Sequence, residues 1–167
     1  MKKLVISLVL VNLLAACASN KPVESTDAQG GSAGTGGNTP SSRQQTAVDP
    51  LNDPSSILAN RSVYYPFDVA VVQDADKAMV QAHGQYLAAN PNRKVRLEGN
   101  CDERGSNEYN LGLGQRRADG VQKMLELSGA SASQLESVSY GEEKPKGTDH
   151  DEASWAQNRR TDLNYAK

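Results

Sequence analysis

Apolar positions fall into three arrangements along the chain. Leu4 to Ala16 is almost continuously apolar, broken only by Ser7 and Asn12. Residues 18 to 56 show no hydrophobic period, and 26 of these 39 residues are Gly, Ser, Pro, Asn, Gln or Thr. Such a stretch cannot bury enough apolar surface to offset the entropy of ordering it, so it reads as a flexible tether. From residue 57 to 167 apolar residues recur with the periods of strands and helices, which places the folded domain there.

Within that domain Arg61–Tyr65 reads as a strand stopped by Pro66. Asp74 or Asp76 caps a helix that runs to about Asn90, with Met79, Ala82, Tyr86 and Leu87 on one face. Lys94–Glu98 alternates and turns Val95 and Leu97 inward as a half-buried strand. After a polar loop, Gly99 to Tyr109, Asn110 caps a second helix that ends at Ser128-Gly129. Its core face is read as Leu111, Ala118, Val121 and Leu125. Leu135–Tyr140 is a third strand, Glu142–Glu152 a charged loop, and Arg160–Tyr165 a last strand. The order βαβαββ predicts an α+β two-layer sandwich, two helices packed on a mixed sheet of about four strands.

Composition narrows the function. With 37% hydrophobic and 23% charged residues, the chain is no collagen, coiled coil, disulfide scaffold or multi-span membrane protein. A net charge of -2 and a pI near 5.7 give no basic field for nucleic acid. All eight aromatic residues stand at or after Tyr64, which again confines the core to the last segment. The first segment has a basic start, Lys2-Lys3, and an apolar run too short to span a bilayer, so residues 1–16 read as a secretory signal removed from the mature chain. The tether, 18–56, spans ~35 Å on average as a coil and ~130 Å when pulled straight.

Enzyme chemistry finds little support. No HExxH, cysteine pair or Gly-x-Ser-x-Gly elbow is present, and His83 and His150 stand apart, so no catalytic residue, metal or cofactor is expected. Asp102-Glu103 are adjacent in a loop, where neighbours point apart, a poor hydrolase pair. Cys101 reads as a small packing residue. The informative stretch is Asp102–Gly105 followed by Asn110, Leu113 and Arg117, which share a helix face at i, i+3, i+7. A helix N-terminus and an arginine suit a carboxylate, and Asp102 suits an ammonium, so a zwitterionic amino-acid head fits. A structural Asp–Arg pair accounts for the same residues. Gly112 and Gly114 in the first turns read either as loose packing or as room for a second surface beside Arg117.

Leu14-Ala15-Ala16-Cys17 resembles the lipobox of bacterial lipoproteins, which implies cleavage before Cys17 and acylation of Cys17. Ala18-Ser19 holds no Asp, which by the same resemblance implies the outer membrane, with the domain in the periplasm. Asp102–Gly105 with Asn110, Leu113 and Arg117-Ala118 resembles the signature of the OmpA-like peptidoglycan-binding family. Val63-Tyr64-Tyr65-Pro66-Phe67-Asp68, Ser139-Tyr140-Gly141-Glu142-Glu143-Lys144-Pro145 and Asn158-Arg159-Arg160 resemble its branch of peptidoglycan-associated lipoproteins. The resemblance implies non-covalent binding of the diaminopimelate of the peptidoglycan stem peptide. It implies binding roles for Phe67, Asp68, Asp102, Gly105, Asn110, Leu113 and Arg117. As partners it implies TolB and the other Tol proteins, in a system that maintains the outer membrane and constricts it at cell division. Arg159 and Arg160 match the family's Asn-Arg-Arg, in an ion-pair or a ligand role. The chain departs from the pattern at Asn100-Cys101, where the family has His and Thr or Ala, at Gly114, and at Pro66. The alternatives are an OmpA-domain lipoprotein of another envelope complex, of secretion or motor type, and an enzyme acting on the cell wall.

Overall fold

The computed structural model describes residues 49–166. The signal segment, Cys17 and tether residues 18–48 lie outside the described residues. Four strands, β1 (Ser62–Tyr64), β2 (Val95–Asn100), β3 (Leu135–Gly141) and β4 (Arg160–Tyr165), form one sheet in the order β1-β4-β2-β3. β4 pairs antiparallel with both β1 and β2, and β2 pairs parallel with β3. The parallel pair needs a crossover, which the long helix α2 (Asn107–Leu127) supplies. With α1 (Asp74–Ala89) it packs on the sheet over Val63, Val95, Leu97 and Leu163, all buried. The architecture is the α+β mixed sheet that the spacing predicts, with a third, shorter helix, α3 (Glu152–Asn158). Among the described residues no helix is long and apolar enough to cross a membrane.

Several local expectations are corrected. Helix α2 begins a turn before Asn110, because Ser106 is its N-cap and accepts from the Tyr109 amide. Asn110 is therefore inside the helix and buried. Leu111 is 49% exposed rather than a core residue, because the inward face at this end is made by Asn110, Leu113, Gly114 and Arg117. In α1, Gln73 rather than Asp74 or Asp76 occupies the cap position, and His83 and Gly84 are buried where Ala82 and Tyr86 are half-buried. α3 was not foreseen, since only Asp151, which caps it by accepting from the Ser154 amide, signals a start.

The ordered chain also starts before residue 57. Leu51 is 4% exposed and Leu58 8%. Asp49 accepts from the Leu51 amide and Asp53 from the Ser55 amide, while Ser56 caps a 3-10 turn at Ile57–Ala59. The polar residues that suggest a tether are here used as turn formers, and Leu51 and Leu58 are its buried apolar residues.

Gly99 and Gly114 explain the closeness of helix and sheet. A Cβ on Gly99 would stand 1.9 Å from the Gly114 carbonyl oxygen, and one on Gly114 would stand 2.3 Å from Ser139 Oγ. Gly114 thus serves backbone approach of α2 to β2 and β3, not room beside Arg117. Gly112 meets only Arg116 Nη1, at 3.5 Å.

Candidate binding site

The sheet ends in a pocket. β1 runs out into Tyr65–Asp68, β2 into Cys101 and Asp102, and α2 starts beside them. Register between β2 and β3 shifts at Gly99/Asn100, so that Asn100 pairs with Gly141. After the shift the buried residues Asn100, Cys101 and Asp102 lead the chain from β2 into the pocket. The resulting cavity, of about 180 Å³, is lined by Phe67, Asp68, Asp102, Gly105, Asn110, Leu113 and Arg117, together with Cys101, Arg104, Tyr109 and Arg159. The structure therefore brings all seven sequence-selected residues into one place.

Arg117 is wholly buried, and it does not pair with Asp102. Its Nε donates to the Val69 carbonyl at 2.9 Å and Nη1 to the Asn100 carbonyl at 2.8 Å. Weaker contacts reach the Pro66 carbonyl and Cys101 Sγ, each at 3.4 Å, and the guanidinium lies 4.8 Å from the centre of the Tyr65 ring. Among the described residues it makes no ion pair. Burial pulls its proton affinity below that of an ordinary arginine.

Asp102 is the counterpart. Arg104 Nη2 donates to Oδ2 at 2.6 Å, Arg159 Nη1 to the same oxygen at 3.2 Å, and the Arg104 amide to Oδ1 at 3.1 Å. Burial pushes this carboxyl up, but these hydrogen bonds outweigh it and hold it below the usual carboxylate range. One lone-pair direction on Oδ1 is left for a further donor. Arg159 is also bonded to Glu152 and to the Tyr65 carbonyl, an ion-pair role. The lining carries three arginines against two aspartates, an excess of one positive charge.

The mouth is aromatic. The Arg104 guanidinium sits 4.2 Å from the Phe67 ring centre and 4.1 Å from that of Trp155. Phe67 is 57% exposed. Asp68 holds a left-handed backbone, φ 58°, which Asp tolerates better than most residues, and its carboxylate accepts from the Tyr109 hydroxyl. Gly105 also needs its positive φ, 112°. Asn110 donates to the Asp102 carbonyl and to Glu142, tying the loop to the helix. Cys101 is buried and free, donates to the Asn110 carbonyl at 3.2 Å, and has its thiol pushed up by burial, so it packs as expected. Asn100 does not line the pocket, and it contributes its backbone carbonyl to Arg117.

Sequence reasoning missed Arg104, Tyr109 and Trp155 as parts of the site. The available signal was aromatic residues in polar, non-periodic stretches. Among the described residues no group of three or more His, Cys, Asp or Glu is placed to hold a metal ion.

Comparison with known proteins places this geometry. The model of the OmpA family matches residues 64–159. The peptidoglycan-associated lipoprotein of Pseudomonas putida is 47% identical over 132 residues, 78% of this chain and 75% of the relative. The crystal structure of the peptidoglycan-associated lipoprotein from Burkholderia pseudomallei superposes with a TM-score of 0.69 at 57% identity, covering 71% of this chain and 100% of that one. The C-terminal domain of Helicobacter pylori MotB superposes with a TM-score of 0.60 at 16% identity, covering 65% of this chain and 84% of that one, a likeness of fold alone. The chain belongs to the OmpA family, in its branch of peptidoglycan-associated lipoproteins.

Proposed function

We propose that this chain is an outer-membrane lipoprotein whose domain binds peptidoglycan non-covalently, taking the free amino-acid end of a diaminopimelate residue into the pocket. The observation that supports this most is the buried, fully desolvated Arg117 with no acidic partner among the described residues. A buried cation without a counter-charge is costly, and an incoming carboxylate relieves that cost through a charge-assisted hydrogen bond. The start of α2 adds the positive end of its dipole. The free direction on Asp102 Oδ1, with the Asp68 carboxylate at the rim, accepts the ammonium. Phe67 and Leu113 cover the aliphatic stem that leads away from this charged head.

In this reading Cys17 carries the lipid, the tether gives the domain its reach, and the family resemblance adds TolB and the other Tol proteins as partners in maintaining and constricting the outer membrane. The relatives are named for association with peptidoglycan and not for catalysis, and the chain is not an enzyme.

The test is sedimentation of the mature chain with purified walls. Diaminopimelate-containing peptidoglycan should pellet it, and lysine-containing peptidoglycan, which lacks the second carboxylate, should not. Arg117→Lys keeps the charge but loses the fork, and should weaken binding at least about tenfold with near-native circular dichroism. Equal binding to the two wall types sinks the diaminopimelate assignment. Failure to pellet with either sinks the binding role.

A further inference from the structure

The far end of the sheet holds a second polar network, unconnected with the pocket. The chain through β1 runs from Asn60-Arg61 to the pocket at Phe67, that through β2 from Arg93-Lys94 to Asp102, and that through β4 from Arg159 back to Tyr165. The two ends stand about 20 Å apart, six residues of strand. The chain enters the domain at the end away from the pocket.

At that entrance the twelve residues Asp49–Asn60 lie against the domain by few and separable contacts. Asp49 pairs with Arg93 and accepts from the Tyr86 hydroxyl at 3.3 Å. Arg61 Nη2 donates to the Leu51 carbonyl. His83, wholly buried in α1, donates from Nε2 to the Asn60 carbonyl at 2.9 Å and accepts at Nδ1 from the Tyr165 hydroxyl at 2.7 Å. A carbonyl can only accept, so this pair of partners sets the tautomer. Two leucines supply the apolar contact. No residue of the segment pairs with the sheet. Its own backbone bonds are local, Ala59 N–H to Ser56 and Asn60 N–H to Ile57.

We propose that Asp49–Asn60 is a releasable clasp, a reserve length of tether held on the domain by Arg93, Tyr86 and His83, which peels off under tension between membrane anchor and wall while the pocket stays closed on its ligand. The tension rests on the wall-binding reading above, but the existence of the clasp does not. Tension applied at Asp49 is carried first by the clasp and only then by the β1–β4 ladder, because the segment precedes β1 in the chain. Release lengthens the tether by ~40 Å. It does so at the end of the sheet that holds no ligand-contacting residue, so lengthening and binding are separate events.

Hydrogen exchange of the mature chain carrying Cys17→Ser tests this without any wall. The amides of Leu58, Ala59 and Asn60 should exchange at least about tenfold faster than those of β2 and α2, through local opening. Arg93→Gln removes a partly exposed ion pair and should speed the three amides by about fivefold, leaving β2 and α2 unchanged. The same variant should sediment with peptidoglycan like the parent. The clasp is overturned if the segment is as protected as β2, if Arg93→Gln leaves it unmoved, or if that substitution shifts the whole domain alike. It is also overturned if the variant loses wall binding that the parent has. A parent that does not sediment refutes the wall-binding reading and leaves the exchange result to decide the clasp.

Discussion

At the pocket end of the sheet Asp102 meets Arg104 and Arg159 with its side chain 4% exposed, whereas at the entrance Asp49 meets Arg93 with side chains 26% and 39% exposed. The residue types are the same and the consequences differ. A charge taken out of water must have nearly all its hydrogen bonds made, and removing one partner exposes the full cost of burial. A half-exposed pair is worth little and breaks easily. The first arrangement holds its groups in one fixed geometry. The second makes an attachment that can let go.

The strongest way to break the contrast is Arg117→Ala. It removes the donors to the Val69, Asn100 and Pro66 carbonyls, and should cost about 3 kcal/mol in urea unfolding, at roughly 1 kcal/mol per lost partner. A loss under about 1 kcal/mol would mean that water replaces the guanidinium and that the pocket end is no stiffer than the entrance.

Next comes a pair of glycines two residues apart in α2, about half a helical turn. Gly114→Ala drives a methyl against Ser139 and Gly99 and should destabilise by about 2 kcal/mol despite better helix propensity. Gly112→Ala meets only the flexible end of Arg116, at ordinary van der Waals distance, and should stabilise by about 0.5–1 kcal/mol. Thermal unfolding of the two variants side by side reads both signs, and equal shifts would refute the close approach of α2 to the sheet.

The smallest effects are in protonation. His83 at the entrance is held below the ordinary imidazole value by burial, with the Asn60 bond opposing and Arg61 assisting. Its contribution is full above about pH 6.5 and fades as the pH falls below that, because the imidazole freed from burial on unfolding binds the proton more readily. His150, at 2.7 Å from Glu103 near the pocket, is raised by that carboxylate. Its contribution is full below about pH 6.5 and is lost as the pH rises through the raised value. An NMR titration should therefore find the two midpoints on opposite sides of 6.5. Glu103→Gln should return His150 to the ordinary value and leave His83 alone.

Much of the domain was legible because period-2 and period-3.6 spacing report directly on burial. β4 and the existence of α1 and α2 follow from it, and the seven candidate residues turn up around one cavity. The boundaries were less legible. Asn110 and Ser106 are both good capping residues, and only the packing of Asn110 against Asp102 and Glu142 decides between them. Leu51 is a single apolar residue in polar surroundings, a pattern without period, so the segment around it reads as coil.

What the chain determines by itself is its division: an apolar run, a period-free stretch, and a domain whose alternating and helical spacings dictate an α+β sheet. Those follow from local rules of entropy and burial that need no partner. Only the tertiary structure decides that Arg117 ignores Asp102 and takes backbone carbonyls. It alone decides that Asp102 is shared by two arginines, and that pocket and chain entrance lie at opposite ends of the sheet. Apart from the local Arg104 contact, these depend on which residues meet across 17 to 57 positions of sequence, and contact at such range is set by strand order and register.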